Sequence, residues 1–402
     1  MTFVEVAVAL FGGILVGIFT GIAPGIHINL VSVMVVASAP LLLQFTSALS
    51  LVVFIISLAI THTFLDTLPS IYLGAPDEAQ ALNVLPGHRL LMKGAGHSAV
   101  LYTVLGSLGS LLLGIILFPF FIWSMIRIQP LISSWIGYLL IVIMIYMILR
   151  EKNKKLASTV AFLLAGCLGL LVFSIPNLRQ PLFPLLSGLF GISLLLTSLL
   201  QKSVIPPQKL HQPLTLSNKN MAKSVSAASG MGFIAAFLPG FGSSQAAIIG
   251  TQIVGDIGDE GFLSLVGGIN TANMVISIAT AYALNKARNG AIVAVNELMG
   301  GITLEQMLVF LAVSLVAGGV ATILVVYLSK IFARLIVKVN YQKLIVGIIL
   351  FIMLLTFYFD GFIGVIILGT ATSIGLIASA WGVGKNHLMG CLILPVILFF
   401  VL

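Results

Sequence analysis

Charge is what this chain has least of. Only 7% of its 402 residues are Asp, Glu, Lys or Arg, against about 25% in a soluble globular domain. A water-soluble fold could not cover its surface with so few charged groups, so a soluble enzyme or binding domain is excluded as the body of the chain. Cysteine is scarce too. Cys167 and Cys391 both lie inside apolar runs, where they resemble small hydrophobes rather than a disulfide framework or a thiolate metal centre. The histidines lack zinc spacing, and no Gly-x-x-x-x-Gly-Lys-Ser/Thr phosphate loop occurs. Metal sites and ATP-driven work within this chain are therefore not expected. The first apolar run lacks a basic stretch ahead of it and carries Glu5 instead, so it reads as part of the mature protein rather than as a signal peptide.

What is present in excess is hydrocarbon. Hydrophobic residues make up 59% of the chain, and a helix crosses the hydrocarbon core with about 20 apolar residues. Apolar segments are read at 3–22, 27–43, 46–66, 97–125, 129–149, 157–174, 180–200, 225–238, 241–254, 262–283, 305–329, 341–359, 361–381 and 387–402. The longest polar stretch, Gln201–Lys223, is too short to fold alone. The expected fold class is an all-α polytopic membrane protein. Its organisation is a first transmembrane repeat over 1–200, a basic cytoplasmic linker over 201–223 and a second repeat over 224–402. A net charge of +8 could suggest nucleic acid, but in a membrane protein basic residues collect in cytoplasmic loops, and no nucleic-acid partner is expected.

The basic residues form three clusters: Arg150 to Lys155, Lys202 to Lys223 and Lys330 to Lys343. Placing all three inside leaves only Arg127, Arg179, Lys286 and Arg288 outside, which satisfies the positive-inside rule. The two halves then have opposite topology, and both termini fall outside a plasma membrane. The halves also resemble each other locally. Gly-Ile-Phe-Thr-Gly-Ile-Ala-Pro-Gly ends at Gly25, and Gly-Phe-Ile-Ala-Ala-Phe-Leu-Pro-Gly ends at Gly240. The next segments carry Ile-Thr-His-Thr at 60–63 and Ile-Asn-Thr-Ala-Asn at 269–273. An inverted repeat of this kind suits a transporter, since related halves can exchange roles as a site opens to either side.

The two Pro-Gly pairs interrupt apolar stretches, because proline removes a donor and glycine permits a reversal. The runs 225–238 and 241–254 are each too short to cross, so a broken, re-entrant hairpin is expected there. Each tip starts a new half-helix whose free N–H groups suit an anion. A midplane substrate site is thus expected at Pro24, Gly25, His27 and Asn29 in the first half and at Pro239, Gly240, Ser243, Ser244 and Gln245 in the second. Asn270 and Asn273 join it from the following segment. A plain proline kink in a packed helix is the competing reading.

Thr61, His62, Thr63 and Asp66 form a second polar set, with His62 and Asp66 four apart on one helical face. They are candidates for a coupling ion or proton site, because an ionisable group inside a span points to function. A wet Asp66 at the inner interface is the alternative, as is interhelical hydrogen bonding for the Asn and Thr residues. Asp77 and Glu78 on one side, with Lys286 and Arg288 on the other, are gate candidates or solvated loops. Asp256, Asp259 and Glu260 read as a solvated turn.

These residues resemble the large membrane subunit of tripartite tricarboxylate transporters. The resemblance rests on Gly21-Ile-Ala-Pro-Gly25 and Ala236-Phe-Leu-Pro-Gly240, on Leu73-Gly-Ala-Pro76 and Pro86-Gly-His-Arg-Leu-Leu-Met-Lys-Gly94, and on Glu260-Gly261 with Thr271-Ala-Asn273. It implies a secondary carrier of carboxylates driven by Na⁺ or H⁺, no other cofactor, and a small membrane subunit and a solute-binding protein as partners. The chain departs from the family pattern in being short, in Asn285-Lys-Ala-Arg-Asn289, and in Asp77-Glu78 where small residues are usual. The expected function is a permease for a small anionic solute, in contact with membrane lipid and with a homo-oligomer as a further expectation. A translocase of a lipid-linked or polyprenyl phosphate is the second reading, and an intramembrane enzyme or structural subunit the third.

Overall fold

The computed structural model describes residues 3–23, 28–76, 78–132, 135–151, 154–200, 205–237, 242–285, 287, 289–338 and 341–402. Among them there is no strand. The bilayer dictates this, since a helix satisfies its backbone groups internally where water is absent.

The first half contains α1 (Phe3–Ile22), α2 (Ile28–Ala37), α3 (Ala39–Leu42), α4 (Ala48–Leu65), α5 (Val84–Met92), α6 (Gly96–Ile116), α7 (Phe118–Ile132), α8 (Ile136–Arg150), α9 (Lys155–Ser174), α10 (Leu182–Leu186) and α11 (Ser193–Leu200). Two π-helical segments, Pro69–Leu73 and Ser187–Ile192, and a 3₁₀ segment, Glu78–Asn83, lie between them. The second half contains α12 (Asn218–Phe237), α13 (Ser243–Val254), α14 (Gly258–Leu284), α15 (Gly290–Met299), α16 (Leu304–Lys338), α17 (Tyr341–Ala380) and α18 (Gly390–Val401), with a 3₁₀ turn at Lys385–Met389. Among the described residues, seven helical stretches are long and apolar enough to cross a membrane: Val4–Ile22, Ala48–Leu73, Gly96–Ile116, Lys155–Ser174, Gly258–Leu284, Leu304–Lys338 and Gln342–Ala380. The chain is a multi-pass membrane protein.

Two expectations about elements change and a third holds. The run 97–125 is two helices, α6 and α7, separated at Leu117, with Pro119 in the first turn of α7. There the missing proline N–H is harmless. The arm before the second Pro-Gly pair is not short. Helix α12 starts at Asn218 and runs for 20 residues, about 30 Å at 1.5 Å per residue. Its polar first turns escape a search for apolar runs, and the Ser217 hydroxyl accepts from the Asn220 N–H at 3.2 Å to start it. Only α13, with 12 residues, keeps the expected shortness. The 40-residue α17 is broken at Gly361, which has φ 61° and ψ −151°. Its two arms match the separate segments read at 341–359 and 361–381.

Small residues let the central helices approach closely, as helix association in lipid requires. Helix α1 packs along α4, and α12 packs along α14. A side chain at Gly17 would stand 2.7 Å from the Leu58 carbonyl oxygen of α4. Helix α14 also packs along α6, and α4 along α16. A side chain at Gly267 of α14 would stand 2.7 Å from the Thr103 carbonyl oxygen of α6. Helices α4 and α14 are thus the two most enclosed spans, 83% and 89% buried over their apolar windows. What they carry faces protein rather than lipid.

Candidate functional site

The polar residues of α4 sit near its C-terminal end and are enclosed. Thr61, His62, Thr63 and Asp66 are all buried. Asp66 closes the helix, its N–H bonded to the His62 carbonyl at 2.9 Å. The first π-helical turn follows at once, and such turns often mark functional sites. The carboxylate of Asp66 accepts two side-chain amides. Gln80 Nε2 donates to Oδ1 at 2.9 Å, and Asn270 Nδ2 of α14 donates to Oδ2 at 2.7 Å. Asn83 Nδ2 in turn donates to Gln80 Oε1. Asp66 is therefore not a wet interfacial residue: it is 2% exposed and is the hub of a network joining the two halves of the chain.

The same two helices meet a second time. The Thr63 and Thr271 hydroxyls lie 3.1 Å apart. His62 turns instead to α1, where its Nδ1 lies 3.1 Å from the Thr20 hydroxyl. Thr20 belongs to the first Pro-Gly motif, so α1, α4 and α14 are tied by one set of buried polar contacts. The Thr61 hydroxyl and Asn83 Oδ1 are buried with no hydrogen-bond partner. Buried polar atoms of that sort call for an explanation, an unseen ion or water among them.

The second hairpin places Ser243, Ser244 and Gln245 at the N-terminus of α13, all buried. Gln245 Oε1 accepts from the Gly242 N–H at 3.0 Å, which caps the helix. Asn273 Nδ2 of α14 donates to Ser243 Oγ at 3.3 Å. Asn270 and Asn273, expected together at one site, reach different partners: Asp66 for the first and Ser243 for the second. Asn29 of α2 lies against the N-terminus of α15, and a side chain at Gly290 would come within 2.6 Å of it.

Several expected residues lie outside the described ones: Pro24, Gly25, His27, Pro239, Gly240, Asp77, Lys286 and Arg288. Glu78 begins the 3₁₀ segment Glu78–Asn83. Asp259, read as part of a solvated turn, instead forms an ion pair with Arg89, so the start of α14 is tied to α5. Thr20, Gln80 and Asn83 were not singled out in the sequence. Gln80 stood inside the densest polar patch of the first half, but only the fold brings it to Asp66.

No solved structure matches this chain. An uncharacterized protein of Methanocaldococcus jannaschii is 29% identical to it over 397 residues, covering 96% of this chain and 97% of that protein. The model of the tripartite tricarboxylate transporter TctA family matches residues 7–390. The chain belongs to that family, and so is a transporter component rather than an enzyme.

Proposed function

We propose that this chain is the permease of a secondary carrier. In this reading it moves a small organic anion by alternating access, coupled to a Na⁺ or H⁺ gradient. The observation that carries the proposal is the buried carboxylate of Asp66, held between α4 and α14 by Gln80 and Asn270. An ionisable group enclosed in a membrane protein and shared by its two halves is poorly suited to a purely structural role, since apolar residues pack at lower cost there. Asp66 would serve the coupling proton or cation, with His62, Thr61 and Thr63 beside it on α4. The anion would be received at the α13 N-terminus by Ser243, Ser244 and Gln245, where the helix dipole favours negative charge.

The packing supports two related repeats. Each half presents a 20-residue helix, then a short one, on either side of its Pro-Gly pair. The pairings α1 with α4 and α4 with α16 have counterparts in α12 with α14 and α14 with α6. Family members work in a tripartite system with a small membrane subunit and a solute-binding protein, and the same assembly in the plasma membrane is proposed for this chain.

Uptake of a labelled carboxylate into proteoliposomes tests the proposal. The expected result is accumulation that collapses when the ion gradient is dissipated. Asp66→Asn should lower gradient-driven uptake at least tenfold while the protein still inserts. Equal uptake by empty vesicles, or an unchanged rate in the Asp66→Asn variant, would refute the reading.

A further inference from the structure

A cavity of about 430 Å³ opens between the 3₁₀ segment at 78–83, α5, α13, the start of α14 and the turn at 385–389. That volume is in the range of small-molecule sites. The cavity runs beside α13 past Ile248, Thr251 and Gln252, the same helix whose N-terminus carries Ser243, Ser244 and Gln245.

Among the described residues, four charged side chains line it: Arg89, Asp256, Asp259 and Lys385. They are not equivalent. Arg89 is neutralised by Asp259 in their ion pair. Asp256 lies exposed in the loop before α14, where its Oδ1 accepts from the Gly258 N–H at 3.1 Å, so water carries its charge. Lys385 is part-buried in the wall. Its Nζ donates to Ser193 Oγ at 2.8 Å and to the Phe190 carbonyl oxygen at 3.4 Å. Both are neutral acceptors, and Phe190 belongs to the second π-helical segment. Among the described residues no carboxylate pairs with Lys385. An ammonium has three donors and a full charge, and here two neutral oxygens leave the charge uncompensated. Much of the remaining wall is apolar, with Leu82, Leu85, Ile248 and Phe262 among its residues.

We infer that this cavity is a binding site for a small monocarboxylate with an apolar body, its carboxylate on Lys385 and its hydrocarbon against Leu85, Ile248 and Phe262. One uncompensated cation matches one negative charge. A tricarboxylate would bring three charges to a wall with a single unpaired cation and would press two of them against hydrocarbon. The site thus narrows the substrate class of the carrier proposed above. It rests on that carrier reading only for its consequence in transport, since binding can be measured alone.

Calorimetry on the purified full chain in detergent, with 4-methylpentanoate, 4-methylpentanamide, citrate and decanoate as probes, tests it. The acid should bind at least tenfold more tightly than its neutral amide and at least tenfold more tightly than citrate. Lys385→Gln should bring the acid down to the level of the amide, and Lys385→Arg should keep most of the preference. Equal binding of acid and amide by the wild type, or tighter binding of citrate, overturns the site without recourse to any variant. Decanoate binding more than tenfold above the short acid also overturns it, by giving the cavity to a lipid chain. Gradient-driven carboxylate uptake that is indifferent to Lys385→Gln sinks this inference and leaves the carrier standing. Absence of any gradient-driven uptake, with the acid preference intact, does the reverse.

Discussion

At the residue scale, several buried polar groups at the end of α4 reach across the molecule to other elements. Asp66 reaches Gln80 and Asn270, Thr63 reaches Thr271, and His62 reaches Thr20. The residue types were legible in the sequence, because Asp and His inside an apolar run stand out against hydrocarbon. Their partners were not. Gln80 lies 14 residues from Asp66 and Asn270 lies 204 away, and no local periodicity predicts such contacts. His88, on α5 and outside the spans, carries a different prediction. Burial, with the positive charge of Lys385 adding to it, lowers its pKa to about 4. The folded protein therefore keeps this imidazole neutral where the unfolded chain, with a pKa near 6.5, takes up a proton. Above pH 6.5 both states are neutral and nothing is lost. Between pH 6.5 and about 4 the unfolded state gains protons that the folded state refuses, so stability falls as pH falls. The loss reaches about 3 kcal/mol, at 1.36 kcal/mol per pKa unit, and levels off below pH 4. Thermal melts of wild type and His88→Gln across this window should diverge, with the variant flatter. Parallel curves would mean that His88 is not the group responsible.

At the element scale, apolar length read the spans well where one helix equals one run. It failed where a helix begins in polar residues, as α12 does at Asn218, or where an apolar run holds a break, as at Leu117. It also passed over the short helices α5 and α15, because α15 is apolar but only 10 residues long and α5 is short and carries His88 and Arg89. The glycines of α1 show what apolar length cannot convey. Gly17 sets the distance between α1 and α4, because a side chain there would meet the Leu58 carbonyl and the Thr61 side chain, each at 2.7 Å. Gly319 of α16 has open space around it. Alanine should therefore act with opposite sign at these two positions. Gly319→Ala should stabilise by up to about 1 kcal/mol, since glycine is the poorer helix former. Gly17→Ala should destabilise by about 1–3 kcal/mol through overpacking. In a background where the exposed Cys167 is replaced by Ser, the buried thiol of Cys391 provides the readout, because a thiol-reactive dye labels it only as the protein unfolds. A stabilised Gly17→Ala variant would show that α1 and α4 can part without loss.

At the scale of the whole molecule, two contacts that the proposed repeat would make equivalent differ, and the difference bears on how the carrier would work. If the halves are repeats, α2 corresponds to α13, and α15 corresponds to the segment around 78–92. At the α2–α15 contact, Gly290 lies against the Asn29 side chain, which is itself exposed. Its counterpart, between α13 and the 78–92 segment, holds the 430 Å³ cavity instead. In the carrier proposed above, the first contact would be the shut side and the second the open side of one resting state. Alternating access then requires α2 and α15 to separate while the cavity closes. Cysteines at both contact positions, Asn29→Cys with Gly290→Cys, put the two thiols close enough to bridge after a small adjustment. Oxidation of the pair should stop uptake in proteoliposomes by at least tenfold, and dithiothreitol should restore it. Neither single variant should respond to the oxidant. Because the bridge holds the conformation already present, acid binding at the Lys385 cavity should survive it. Full cross-linking with undiminished uptake would mean that α2 and α15 never part, and that the solute takes another path through the protein.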